Sequence, residues 1–149
     1  MHYERVRTLV TTVQHKSIIR RILDEAFNQG NLAIVDELVA PDSISHHMSW
    51  GMPANRMGLK QLIAMLRTAF PDLRCTVEDE INQDDKAAAH WKMRGTHRGQ
   101  FLGNPPTSKP IVVQGLIYAR IENSQVIESW ILIDQMGVLQ QLGLVPPPR

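Results

Sequence analysis

The chain has 149 residues, 43% of them hydrophobic, and its 16 basic and 15 acidic residues leave a formal charge of +1. That length suits one domain with a proper core, residues 1–149, rather than two. The near-neutral balance excludes nucleic acid and anionic membrane as the main partners. The single cysteine, Cys75, cannot close an internal disulfide, no secretory leader pattern opens the chain, and no apolar run approaches the ~18–20 residues of a membrane span. These features set the expectation of a soluble cytoplasmic protein.

Residues 1–12 and 145–149 read as tails, and Arg5, Arg7, Lys16, Arg20 and Arg21 as a solvated basic face. Ile19, Ile22, Leu23, Ala26 and Phe27 then recur at helical spacing, and Gly30 stops that helix. A short second helix carries Leu32, Val35, Leu38 and Val39, with Asn31 as its expected cap. "SISHHMSW" reads as a short strand and "GMPANRMG" as loop. Leu59, Leu62, Ile63, Leu66 and Phe70 mark a third helix that Pro71 ends. The period then changes to two. Strands are expected over 73–81, 86–97, 111–121 and 126–134, with turns at "NQDD" and "ENSQ" and a last helical turn at "GVLQQLG". Helices segregated from a run of antiparallel strands predict an α+β fold, in which a curled sheet wraps about three helices around a pocket.

The strand "VIESWILID" places Val126, Glu128, Trp130, Leu132 and Asp134 on one face and Ile127, Ser129, Ile131 and Ile133 on the other. If the mixed face looks into the pocket, desolvation makes Asp134 a strengthened base; alternatively it caps the helical turn that follows. His46 and His47 are neighbours, so at most one enters the pocket. His97 opens the long segment "GTHRGQFLGNPPTSKP", where it is placed either to donate to a ligand carbonyl or to order the loop. Phe101 and Leu102 are expected to fold inward as a pocket wall. No metal-ligand spacing, nucleophile motif or phosphate-binding glycine loop is present in the sequence, so neither metal nor cofactor is expected.

Four segments carry a resemblance: "FNQGNLAIVDELVAPDSISH", "GLKQLIAMLRTAFPDLRCTVEDEI", "WKMRGTHRGQFLGNPPTSKPI" and "RIENSQVIESWILIDQMGVLQQLG". In their order and spacing the chain resembles the SnoaL-like polyketide cyclases (ester cyclases) of the NTF2-like superfamily, from about residue 14 to 145. The resemblance implies a cystatin-like cone with a deep pocket, and a homodimer or higher homo-oligomer packed through sheets. It also implies ring closure by intramolecular aldol condensation without metal or cofactor. The family's acid/base Asp falls on Asp134, and its two histidines on His46 and His97. Ser129 stands where the family often has His, and Ser43 where an aromatic is common.

The expected chemistry is proton abstraction alpha to a carbonyl of a small hydrophobic substrate by Asp134, with His97 or His46 on the enolate oxygen. Trp50, Leu66, Trp91, Phe101 and Trp130 are expected to wall the substrate, with Phe70, Met93, Gln114, Tyr118 and Leu132 completing the binding set. Alternatives on the same fold are an isomerase with Tyr118 as oxyanion donor, a hydrolase, or a non-catalytic binder of a small apolar ligand.

Overall fold

Ile19, Ile22, Leu23, Ala26 and Phe27 are all buried, and the stripe they form sets the first helix against the sheet. The computed structural model describes residues 17–147; the expected tail at 1–12 and the basic residues up to Lys16 lie outside them. Helix α1 starts as an α-turn, Ile18–Arg21, in which Ser17 Oγ accepts from the Arg20 amide. It continues in π-helical form over Ile22–Asn28 rather than as the α-helix the spacing predicts. The Arg67 guanidinium satisfies the carbonyls of Phe27 and Asn28 at 2.8 and 2.7 Å, which closes the widened end.

Helix α2 is Ala33–Leu38, with Leu32 rather than Asn31 at its cap position. Strand β1, Val39–His46, follows at once, earlier than "SISHHMSW" suggests, because Val39 already pairs with Val126. A 3₁₀ turn, Ser49–Gly51, leads to α3, Arg56–Ala69, whose first turn is capped by Asn55. Then come β2 (Arg74–Gln83), β3 (Lys86–Thr96), β4 (Pro110–Glu122), β5 (Gln125–Ile133) and α4 (Gln135–Gln141). The five strands form one sheet in the order β1-β5-β4-β3-β2, with β1 parallel to β5 and the other pairs antiparallel. This is the α+β cone expected from the sequence.

Alternation decides the two faces of the sheet. Ala87, Ala89, Trp91 and Met93 of β3, Ile111, Val113 and Ala119 of β4, and Ser129, Ile131 and Ile133 of β5 are buried against the helices. Trp91 lies flat on β4: a Cβ on Gly115 would stand 2.3 Å from Trp91 Cζ2. The Trp91 and Phe27 rings, 6.3 Å apart, fill the interior. The void left between α1, α3 and the sheet is about 30 Å³, room for only one or two waters. The inner space is therefore far smaller than the deep pocket the resemblance implies.

The loop 97–109 is stitched to the helix layer, since the amides of Arg98 and Gly99 both donate to the Ala69 carbonyl at the end of α3. Phe101 is fully buried by this arrangement, but Leu102 has positive φ and turns out to solvent, contrary to the expected inward pair.

Candidate functional site

The sequence-derived site residues divide between the two faces of the sheet. Leu66, Phe70, Trp91, Met93, Phe101 and His97 are fully buried in the core, and Trp50 is packed edge-on against Phe101. Gln114, Tyr118, Trp130 and Leu132 lie on the outer face, as does Asp134, which is exposed. The mixed face of β5 thus points away from the interior. The reason is electrostatic as well as apolar: the aliphatic Ile131 and Ile133 pack inside, whereas the Glu128 carboxylate on the other face stays hydrated. Tyr118 correspondingly faces outward and is not an interior donor.

The strand register lays the outer residues out in rows. Asp134 follows β5 directly, and its amide donates to the Gln114 carbonyl at 3.2 Å; Gln114 stands opposite Lys92. In the next row Leu132 pairs with Leu116, which pairs with His90. Beyond it, His46, Trp130 and Tyr118 sit side by side. Two depressions cover these rows. One, about 580 Å³, is lined by His90, Gln114, Leu116, Leu132, Ile133 and Asp134. The other, about 400 Å³, is walled chiefly by Ile81, His90, Leu116, Tyr118, Trp130 and Leu132. They share His90, Leu116 and Leu132 and so form one groove with largely apolar walls.

Asp134 closes one end of the groove. Its Oδ1 accepts from the Gly137 amide at 2.9 Å, so it is the N-cap of α4. No hydrogen bond to Oδ2 is formed within the described residues. Beside it, His90 Nε2 is hydrogen-bonded to Gln114 Oε1, an oxygen that only accepts, so Nε2 is the donor. His90 and Lys92 alternate with the buried Ala89, Trp91 and Met93 of β3, and nothing in their spacing singles them out in the sequence.

His46 lies outside the groove, on β1 beyond Trp130. Its ring stacks on Trp130 at 4.8 Å between centroids, and its Nε2 lies 2.9 Å from Glu128 Oε2. The hydrogen bond from His46, and then the one from Arg120, hold the Glu128 carboxyl below the usual carboxylate range. His47 is exposed in a turn with φ of 58°. His97 orders its loop: Nδ1 accepts from the Thr107 amide at 3.2 Å and lies 3.0 Å from Thr107 Oγ1. The ring stands between Phe70 and Phe101, remote in the register from Asp134. Burial pushes the Cys75 thiol up to about 12, which makes it a poor nucleophile. Among the described residues no three His, Cys, Asp or Glu side chains are grouped to hold a metal ion, and no helix is long and apolar enough to cross a membrane.

The sequence pattern of the SnoaL-like polyketide cyclases matches residues 17–142. Among solved structures, IdmH of Streptomyces antibioticus, a candidate polyketide cyclase, is 33% identical over 85% of this chain and 96% of its own, with a TM-score of 0.74. TsrD of Streptomyces laurentii is 23% identical, over 86% of this chain and 93% of its own, at a TM-score of 0.75. AclR of Streptomyces galilaeus, a candidate hydroxylase, is 23% identical, over 89% of this chain and 82% of its own, at 0.76. The last two likenesses are of fold alone. No curated protein matches the chain. The chain belongs to the SnoaL-like polyketide cyclase family, which supports a cyclase or a related enzyme acting on a small molecule.

Proposed function

We propose that the protein performs cofactor-independent acid/base chemistry on a small hydrophobic carbonyl compound, with Asp134 as the acid/base. The observation that carries this reading is the Asp134 carboxylate itself: one oxygen is pinned by Gly137, the other is unbonded within the described residues, and both stand at the end of an apolar groove. Asp134 takes a proton from a carbon next to a carbonyl. The C–H electron pair moves into the enolate, whose carbon attacks a second carbonyl of the same molecule to form the new C–C bond. The resulting alkoxide takes the proton back from Asp134. Tyr118, Trp130 and Leu132 supply the wall that holds the chain of the substrate in a reactive fold. His46 braces that wall through its stack on Trp130, and Trp91 backs it from the buried face of the sheet.

Exposed Val112, Leu116, Tyr118 and Leu132 on the same face support a homodimer or higher oligomer that roofs the groove. The unpaired Cys75 supports a cytoplasmic location. The cap bond of Asp134 favours a second reading, a non-catalytic binder of small apolar ligands, in which the carboxylate only starts α4.

The test is deuterium wash-in at the central carbon of 2,4-pentanedione, followed by NMR. Asn caps helices as well as Asp, so Asp134→Asn keeps the fold while the exchange rate falls by about 10²–10⁴-fold. An unchanged rate in that variant rejects Asp134 as the base and leaves the binder.

A further inference from the structure

Lys92 occupies the row that begins at Asp134. Its neighbours in β3, Trp91 and Met93, are buried, so Lys92 is on the outer face, directly opposite Gln114 and, on the other side, opposite Thr76. Along the strand its outer-face neighbours are His90 and Arg94. None of these four is a carboxylate, and among the described residues the Lys92 ammonium has no hydrogen-bond or ion-pair partner. Of the acidic residues of the sheet, Glu128 is paired with Arg120 and His46 and Glu80 with Arg20, while Glu78 accepts from the Thr76 hydroxyl at 3.4 Å. Lys92 is also half-buried, unlike the exposed Arg94 next to it. Its cross-strand partner Gln114 lines the groove, and a half-buried, unneutralised cation beside it is costly without a matching anion.

Asp134 and Lys92 are separated by a single strand position, that of Gln114. Strands lie about 4.8 Å apart, so the two backbones are about 10 Å apart, a span that the flexible four-carbon stem of a lysine is long enough to shorten. A base and a cation at that separation fit a substrate that gives up a proton at one end and gathers negative charge on oxygen at the other. A carboxylate open to solvent is too weak a base for a simple ketone. The C–H must therefore lie between two carbonyls, where the acidity approaches what a carboxylate can remove.

We propose that Lys92 is a further catalytic residue of this groove, holding the enolate oxygen of a 1,3-dicarbonyl substrate while Asp134 takes the proton and the Gln114 side chain orients the carbonyl between them. The inference rests on the acid/base reading of Asp134. A fixed cation aimed at developing oxyanion charge typically contributes about 10²–10³-fold in rate.

The experiment uses 2,4-pentanedione with the wild type, Lys92→Met, Lys92→Arg and Asp134→Asn. Two quantities are read: the enolate absorbance of the bound probe at fixed pH, and deuterium wash-in. The wild type raises the enolate fraction above that in buffer. Lys92→Met abolishes that rise and slows wash-in by about 10²-fold, Lys92→Arg restores most of both, and Asp134→Asn keeps the absorbance change but loses the exchange. Wild-type values in Lys92→Met, with exchange lost in Asp134→Asn, overturn the role of Lys92 alone. Normal exchange in Asp134→Asn, with the absorbance change lost in Lys92→Met, overturns the base and leaves an enolate-binding lysine. A wild type that changes neither quantity overturns both.

Discussion

The Asp134 carboxylate is folded back onto Gly137. Oδ1 accepts from the Gly137 amide at 2.9 Å, and a Cβ at residue 137 would stand 2.2 Å from Oδ2. The glycine therefore fixes where both oxygens sit. Gly137→Ala should push the carboxylate off the helix end. Ala favours the helix interior by up to about 1 kcal/mol over Gly, but loss of the cap costs about 0.5–2 kcal/mol, so urea denaturation should report little net change or a small loss. Deuterium wash-in should fall well beyond that small stability change. Wild-type exchange in Gly137→Ala would show that the position of the carboxylate does not matter.

A second close approach holds the core. Trp91 occupies the space that a side chain on Gly115 would need, on a strand pair that separates the core from the groove. Gly115→Ala should force the indole aside and destabilise the fold by about 1–3 kcal/mol, as overpacking does. Equilibrium unfolding by tryptophan fluorescence reads this directly. A stability equal to the wild type would mean that the indole moves freely, and that the interior is less closely filled than its void of about 30 Å³ implies.

The run of antiparallel strands β2 to β5 and the buried stripe of α1 were legible because each rests on a period that sequence displays, whereas the parallel pairing of β1 with β5 rests on a contact between distant segments. The alternation of β5 was equally legible, but its sidedness was not. Trp130 and Leu132, as large apolar residues, point to their own face as the inner one, but packing puts Ile131 and Ile133 in the core instead. The consequence reaches the site: Asp134 goes outward with Trp130, while His97 goes inward with Trp91, so residues that the resemblance grouped are divided by the sheet. The partners of Asp134 were hidden for another reason. Gln114, His90 and Lys92 meet it through strand register, and register depends on pairings between segments far apart in the chain. Gly137, in contrast, is local to Asp134, and its spacing of three is the one site relation that the N-cap pattern could have supplied.

The outer face carries its own consequence. Val112 is 53% exposed on the same face, outside the groove's lining, where a second copy that roofs the groove would rest. Sedimentation velocity should find the wild type associated and Val112→Asp monomeric, since a carboxylate buried in an interface is disfavoured. Two species of equal mass would rule out this face as the contact.

Asp72 ties the start of the long loop to the end of α3. Its Oδ1 accepts from the Thr96 amide at 2.7 Å and its Oδ2 from the Thr96 hydroxyl at 2.8 Å. The Thr96 amide bond, ahead of the hydroxyl bond, holds the Asp72 carboxyl below the usual carboxylate range. A group with a lowered folded pKa stabilises fully above its unfolded value, about 3.9, and loses that contribution as pH falls through the lower folded value. Hydrogen exchange at His97, whose amide donates to the Lys109 carbonyl at 2.9 Å, should thus be protected at pH 6 and progressively less so below about pH 3.9. Asp72→Ala should show the weaker protection at both values, because it lacks the acceptor throughout. Equal protection in the variant and the wild type at pH 6 would mean that the pairing of His97 with Lys109 holds the loop without Asp72.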